Sequence, residues 1–557
     1  MPTGPSDALD PPSADSPSTA VADAESIALD RLTDLTSRVD SDSDARLDVF
    51  APATTERIGS IPACDEADVA SGIERAREAG TGWADRPVSE RAAVLDRAAD
   101  LLLDRRSALL DLLQLETGKS RRTAVEELFE VPLACEYAAR DGPNAIVEDR
   151  RSAAIPGLST ATVTYEPVGV VGVISPWNYP LTLSVADAVP ALLAGNAVVL
   201  KPDEKTPYTA LALAEVLEDA GVPENVLTVI TGEGPTVGPA LIDGVDYVAF
   251  TGSTETGRTV AERAGRNLID CSLELGGNNP LVVLDDADVD EAARGAVQTC
   301  FANAGQLWLA AERIYVVESA YEPFLDAFVR ETERLTLGTG YDYDADIGSL
   351  IDADQLDRVR SHLDDARERG ATVETGGRHR PDVGPYCYEP TVLTGVDPDA
   401  TVACEETFGP VVSVTPVPDV DAAVTAANDS PYGLNASVWT RNRDRGARVA
   451  REIDCGTVSV NDGFLTGWAA RDAPMGGFGD SGIGRRNGPE GVRRFTESRT
   501  VAVSRVGPVT FPDRIPTGWF VRGAFVATIV GRRVSKTVRR VTDGTVGRVK
   551  RRAFGRE

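Results

Sequence analysis

Lysine is nearly absent from this chain. Only Lys119, Lys201, Lys205, Lys536 and Lys550 occur in 557 residues, and the rest of the basic complement is arginine. Histidine is scarcer still, at His362 and His379 alone. The cysteines (Cys64, Cys135, Cys271, Cys300, Cys387, Cys404, Cys455) are scattered without CxxC spacing. No metal site can be read from so few ligands so far apart. Positive charge is in deficit overall, with 87 acidic residues against 56 basic ones and a formal net charge of −31. That sign argues against a nucleic-acid role, because phosphate contacts need a basic face. Long apolar runs are missing too. No stretch reaches the ~20 residues of a membrane span, and no signal-peptide pattern is visible at the start of the chain. A cytoplasmic location with reduced thiols is the expectation. An acidic, lysine-poor, arginine-using chain fits a cytosol of molar salt, where the Debye length is only ~3 Å. An ordinary acidic cytosolic protein is the alternative.

The length implies more than one core. The first residues, rich in Ser, Pro, Asp and Ala, read as a disordered acidic arm, taken as 1–44. Helical patterning follows over Val69–Gly80, and Arg91 to Leu115 carries one long period of about 3.6. Beyond Ala161, short β-branched runs such as "VGVVGVISP" and "AVVLKP" alternate with helix patterns, as buried parallel strands do. This predicts a doubly wound α/β sheet. A second α/β region begins after Glu274, with a helix expected to run to about Ala310. The last 53 residues change sign: 13 Lys and Arg against three Asp and Glu give +10, leaving about −41 on the rest. Within this tail "WFVRGAFVATIV" (Trp519 to Val530) is apolar and broken by Arg522. Peripheral contact with a membrane surface is one reading. A tail docked on the acidic body, or disorder, are the others.

"FTGSTETG" (Phe250 to Gly257) ends a strand and opens a helix. Gly252 permits the tight turn, and Ser253 with the first helical N–H groups suits a pyrophosphate. Arg258 stands where a nucleotide-triphosphate loop would need lysine, so that reading is rejected. Alone the spacing is weak. It occurs with "SPWNYP" (Ser175 to Pro180), "KPDEKTP" (Lys201 to Pro207), "LELGGNNP" (Leu273 to Pro280), "EETFGPV" (Glu405 to Val411) and "PMGGFGDSGIGR" (Pro474 to Arg485), in this order. Together these motifs resemble the aldehyde dehydrogenase superfamily, over roughly Asp48 to Val503. The flavour of "LELGGNNP" and "NAGQL…ERIYV" is similar to succinate-semialdehyde and broad-range members.

The resemblance implies a fold and a set of roles. A Rossmann-like cofactor domain would cover 45–146 and 168–275, and an α/β catalytic domain 276–484. Small oligomerisation strands would lie at 147–167 and 485–504, implying a homodimer or homotetramer, with 505–557 as a basic tail. The cofactor is expected to be NAD, with NADP less favoured: Lys201 and Glu204 look like the adenosine-ribose ligands, and a carboxylate there repels a 2′-phosphate. Gly252, Ser253 and Gly257 look like the pyrophosphate turn. Glu406 looks like the nicotinamide-ribose ligand with Phe408 beside it, Pro176 and Trp177 line the cleft, and Gly276 and Gly277 let backbone approach the nicotinamide. No metal is expected. The substrate is a small-molecule aldehyde, oxidised to a carboxylic acid.

In such enzymes a cysteine thiolate attacks the carbonyl. Here Asn178 resembles the side-chain oxyanion donor, with the backbone N–H of residue 308 as the second donor. Glu274 resembles the general base that activates water. The thiol belongs two residues after the Gly-Gln of "FANAGQLWLAAER", and that residue is Trp308. An indole has a donor N–H and no nucleophilic lone pair. Cys300 lies eight residues earlier, ~12 Å along the axis if the stretch is helical, and reads better as a buried helix residue. Cys271 and Cys404 are near motifs at positions the family does not use. The resemblance also places Asp187 and Arg486 where many members carry Lys and Glu, a charge pair with its polarity exchanged. Three readings stay open: an aldehyde-oxidising enzyme, a catalytically silent cofactor- or ligand-binding member of the same scaffold, or a structural oligomer whose tail contacts a membrane or a partner.

Overall fold

A computed structural model of the chain describes residues 31–152, 159–505, 516–526, 528–530 and 532–533. Val170–Ser175, Ala197–Pro202, Leu227–Val229, Tyr247–Thr251 and Asp270–Glu274 form parallel strands separated by helices Pro180–Ala194, Pro207–Ala220, Gly234–Gly244 and Thr254–Asn267. Helices on both faces force these strands to be apolar almost throughout, and all six residues of Ala197–Pro202 are buried. The strand order runs from Asp270–Glu274 through Tyr247–Thr251, Val170–Ser175 and Ala197–Pro202 to Leu227–Val229. The chain therefore winds outward in one direction from Val170–Ser175, then returns and winds outward in the other. Gly482–Ile483, expected in the second domain, pairs antiparallel with Asp270–Glu274 at the edge of this first sheet.

A second sheet has seven strands, with Asn279–Val283 between Ala311–Val317 and Asn435–Trp439. Its pairings are parallel except at the edge strand Thr372–Thr375. Among the described residues, a further compact unit covers 148–152, 159–164, 500–505, 516–526, 528–530 and 532–533. It contains the antiparallel pairing of Asp149–Arg151 with residues 161–163 of the strand Ser159–Pro167. The last strand, Thr496–Ser504, is almost wholly exposed.

Three sequence expectations need correction. The acidic arm does not extend to residue 44: residues 31–36 are helical, and Leu32, Leu35 and Val39 are buried in the main core. Arg31 pairs with Glu215 at 2.5 Å, and Arg38 with Glu218. Residues 1–30 lie outside the described residues. The single period over Arg91 to Leu115 is two helices, Val88–Asp104 and Arg106–Thr117, because Arg105 leaves the helical geometry at φ −91°, ψ 10°. The helix expected to reach Ala310 stops at Phe301, where the backbone turns left-handed at Asn303 and Ala304. In the tail, residues 517–526 are helical with Trp519 and Phe525 exposed, and most of the rest lies outside the described residues. No helix among the described residues is long and apolar enough to cross a membrane.

The packing of residues 31–39 gives a stability prediction. Truncating a buried leucine in a close-packed core costs about 2–5 kcal/mol. Leu35→Ala should fall in that range by urea unfolding, whereas Phe50→Ala, at a ring that is half exposed, should change stability by under about 1 kcal/mol. Equal, small effects would mean that residues 31–39 are not part of the core.

Candidate active site

In an open α/β sheet, ligands bind outside the carboxyl ends of the strands where the winding direction reverses. Here that point lies between Val170–Ser175 and Tyr247–Thr251. Pro176, Trp177 and Asn178 follow the first strand, and Gly252 and Ser253 follow the second. A cavity of about 230 Å³ opens there, lined by these five residues together with Glu274, Gly276, Trp308, Glu406 and Phe408. The structure thus brings ten residues from five motifs onto one cavity. Ser253 caps the helix Thr254–Asn267, accepting from the Thr256 N–H at 3.2 Å. Gly257 does not line the cavity. It packs in that helix, where an added Cβ would lie 2.3 Å from the Leu275 side chain.

Lys201 and Glu204 sit to one side. Lys201 is buried, and its Nζ donates to Glu204 Oε2 at 3.0 Å. Glu204 lines a separate cavity of about 690 Å³. Burial raises the Glu204 carboxyl, but the charges of Lys201 and Lys205 and the hydrogen bonds from Lys201 and backbone together outweigh it and hold the group below the usual range.

Glu406 is held against backbone. Its carboxylate accepts the Gly277 N–H at 2.9 Å, and a Cβ on Gly276 would come within 2.4 Å of it. Burial pushes this carboxyl up to about 7. Phe408 has φ +55° and meets Trp177 edge-on, with ring centroids 5.6 Å apart. Glu312 fixes that turn by accepting the N–H groups of Thr407 (2.7 Å) and Phe408 (2.8 Å). Gln355 and Arg358, from the helix Ala353–Glu368, also line the cavity. Gln355 donates to the Phe408 carbonyl at 2.6 Å and Arg358 to the Glu406 carbonyl. No motif marks these two residues, which belong to the polar side of an ordinary amphipathic helix.

Asn178 is clamped from three directions. Its side-chain amide donates to the Gln306 carbonyl at 3.0 Å, and its own carbonyl accepts from Lys119 at 2.9 Å and Asn303 at 3.1 Å. Lys119 is fully buried and paired with Glu127 at 2.5 Å. The other Glu127 oxygen accepts the N–H groups of Leu181 (2.8 Å) and Thr182 (3.1 Å), which open the helix Pro180–Ala194. A carboxylate there satisfies N–H groups that have no helical partner. The sequence reading missed Lys119 and Glu127. The signal for Lys119 was the scarcity of lysine itself: of the five, Lys119 touches Asn178, Lys201 touches Glu204, and Lys205 lies 5.8 Å from the Trp177 ring centroid.

Glu274 is buried, and neither carboxyl oxygen has a hydrogen-bond partner. Burial pushes it up to about 7, against the opposing pull of Arg486 and Arg494. Such a group can gain and lose a proton near neutral pH. Trp308 lines both this cavity and a larger one of about 640 Å³. Its ring is buried, edge-on to Tyr179 at 5.9 Å and to Trp468 at 5.3 Å, and its Nε1 has no partner. The indole is a wall between the two cavities. Gly305, three residues before it, has φ +73°, and a Cβ there would lie 2.1 Å from the Gly409 carbonyl oxygen, so only glycine lets the loop sit this close. Cys300 is buried at the end of its helix, and burial pushes its thiol well up. That is the environment of an inert cysteine.

Asp187 and Arg486 do meet. Arg486 donates from Nε at 3.1 Å and from Nη2 at 2.5 Å, and Arg494 reaches the same carboxylate. Burial raises Asp187, but the two guanidiniums outweigh it and the net shift is downward. Removing one member of a buried pair leaves the other uncompensated, at about 3–5 kcal/mol. Asp187→Ala and Arg486→Ala should each destabilise by about that much in urea unfolding, and the double variant by clearly less than the sum. Strict additivity would contradict the pair.

Among the described residues, no group of three or more His, Cys, Asp and Glu could hold a metal ion. Comparison with known proteins agrees with the site's composition. The profile described as "Aldehyde dehydrogenase family" matches residues 39–501. A Mycobacterium tuberculosis protein named "Putative succinate-semialdehyde dehydrogenase (NADP(+)) 2" is 50% identical over 467 residues, 84% of this chain and 90% of the relative. An Escherichia coli protein named succinate-semialdehyde dehydrogenase (NADP(+)) is 35% identical over 84% of this chain and 96% of its own. The crystal structure of a Staphylococcus aureus betaine aldehyde dehydrogenase in complex with NAD+ superposes with a TM-score of 0.82 at 32% identity, covering 88% of this chain and 99% of that one. This chain belongs to the aldehyde dehydrogenase family, the NAD(P)-dependent oxidoreductases that act on small aldehydes.

Proposed function

We propose that the cavity at the sheet's reversal point is an NAD-binding aldehyde-oxidation site in which Trp308 occupies the nucleophile's position. The observation that carries this reading is the convergence of ten motif residues on one cavity with the indole as its wall. Lys201 and Glu204 hold the adenosine ribose, Gly252 and Ser253 the pyrophosphate, with Gly257 letting their helix pack close. Glu406, Phe408, Pro176, Trp177 and Gly276 surround the nicotinamide end. When bound, the cofactor supplies a hydride acceptor. Asn178 has an amide hydrogen left for a developing oxyanion. Glu274, desolvated and unpaired, draws a proton from water once its own has been lost. The ionised Glu204 carboxylate favours NAD, although the succinate-semialdehyde relatives are named for NADP(+). The aldehyde is a semialdehyde or a broad-range substrate, in a cytoplasmic protein adapted to high salt. The exposed strand Thr496–Ser504 and the segment 147–167 pair between subunits in a dimer or tetramer. The basic tail is a candidate for peripheral membrane contact.

The second reading, a catalytically silent binding member, is favoured by Trp308 alone. The two separate in one assay: NADH formation from an aldehyde panel in molar KCl by the parent and by Trp308→Cys. Loss of a positioned nucleophile commonly costs ~10⁴-fold, or ~5–6 kcal/mol in barrier. The variant should exceed the parent by about that factor. Ordinary enzyme rates in the parent would place the nucleophile elsewhere. A variant silent with every aldehyde would leave the binding reading.

Two further outcomes follow. The raised Glu274 carboxyl is protonated, and unable to act as base, below about 7. Turnover of Trp308→Cys should therefore rise with pH through about 7 and level off above it, and adding Glu274→Gln should abolish that rise. In the parent, NAD should bind more tightly than NADP, and Glu204→Ser should narrow or reverse the preference. Tighter NADP binding by the parent would overturn the role given to Glu204.

A further inference from the structure

The cavity of about 640 Å³ on the far side of Trp308 is mostly apolar in its walls, with Leu307, Leu309, Phe464 and Trp468 around the indole. Its rim is apolar too: Phe129 is 70% exposed and Leu133 51%. The charged residues on its lining are four carboxylates, Glu126, Glu127, Glu130 and Glu136, against two guanidiniums, Arg140 and Arg471.

Both guanidiniums are already engaged. Arg140 pairs with Glu136 at 3.2 Å and with Asp141 at 2.8 Å. Arg471 pairs with Glu130, whose second oxygen accepts the Trp468 indole N–H, and its guanidinium lies 5.3 Å over the Trp468 ring. This cluster is largely buried, with Arg471 and Glu130 side chains 14% and 10% exposed. With Glu127 already neutralised by Lys119, an incoming carboxylate still meets one more negative than positive group and no guanidinium of the lining that lacks an acidic partner. The ring faces are occupied as well, since Arg471 covers Trp468 and the Lys119 ammonium lies 4.3 Å from the Tyr179 centroid. Apolar surface is what the cavity has to offer.

We propose that this cavity prefers a neutral, apolar aldehyde, with an aliphatic or aryl chain, over one bearing a carboxylate, and that Glu130 sets the preference by neutralising Arg471. The inference rests on the Trp308 site being the aldehyde site. It extends that reading by ranking the substrate classes that the reading leaves open.

The test uses unreactive amide analogues and needs no turnover. Isothermal titration of the parent in molar KCl would compare butanamide, hexanamide and octanamide with succinamate. Each added methylene should tighten binding about three- to fourfold. Succinamate should bind at least tenfold more weakly than butanamide. Glu130→Gln, confirmed as folded at the titration temperature by circular dichroism, should bring succinamate at least fivefold closer to butanamide. Equal binding of succinamate and butanamide by the parent, or a flat chain-length series, would each overturn the proposal. So would a folded Glu130→Gln that leaves the succinamate ratio unmoved. If Trp308→Cys oxidises nothing while the amides follow the expected order, the oxidation reading fails and the cavity's chemistry stands.

Discussion

The Lys119 ammonium is enclosed, and an enclosed charge left unpaired would cost several kcal/mol. Its two oxygen partners are therefore obligatory, and they tie together segments far apart in the chain. Glu127 lies on the helix Arg121–Arg140, and the second partner is the carbonyl of Asn178. Through its other oxygen Glu127 grips the start of the helix Pro180–Ala194, and through Asn303 the Asn178 carbonyl is fixed to the loop that carries Trp308. One buried cation thus sets the position of Asn178, of the helix behind it and of the loop that carries Trp308. The cavity on either side of Trp308 inherits its shape from this clamp.

Much of the fold was legible because its physics is local. Buried parallel strands are continuous apolar runs, and their ends at a reversal of winding carry glycine, serine and proline for steric reasons. Hence Gly252 and Ser253 could be placed at a strand-to-helix turn from the pattern alone, whereas Pro176, Trp177, Asn178, Gly276 and Glu406 came only with the family resemblance. What stayed hidden depended on partners distant in sequence. Gln355 and Arg358 are unremarkable helix residues until the turn at Phe408 is brought against them. Leu32 and Leu35 sit at the edge of a polar, proline-rich stretch, and only the surface they cover distinguishes them from an arm. The break at Arg105 leaves the apolar period nearly intact, so two helices read as one. The charge cluster of Arg471, Glu130 and Trp468 joins residues over three hundred positions apart, which no local pattern announces.

The exchanged pair shows how a resemblance and a structure inform each other. Asp187 and Arg486 reverse the polarity of the family pattern, yet the contact survives as a two-pronged ion pair reinforced by Arg494. Glu274 lies within the influence of both guanidiniums and still has its proton affinity raised, because burial outweighs them. Trp308 admits no such compensation. Its indole packs edge-on against Tyr179 and Trp468, and an indole cannot form the bond that a thiolate would.

The central claim is that every element of aldehyde oxidation except the thiol is in place around residue 308. Its most direct test is covalent. Trp308→Cys combined with Glu274→Gln, mixed with NAD and an aldehyde, should trap an acyl group that the missing base cannot release. Intact-mass and peptide-mapping spectrometry should find one acyl thioester per chain, on the new cysteine, together with one equivalent of NADH and no adduct on the parent. An adduct on Cys300, or none at all on a double variant that still binds NAD, would contradict the account.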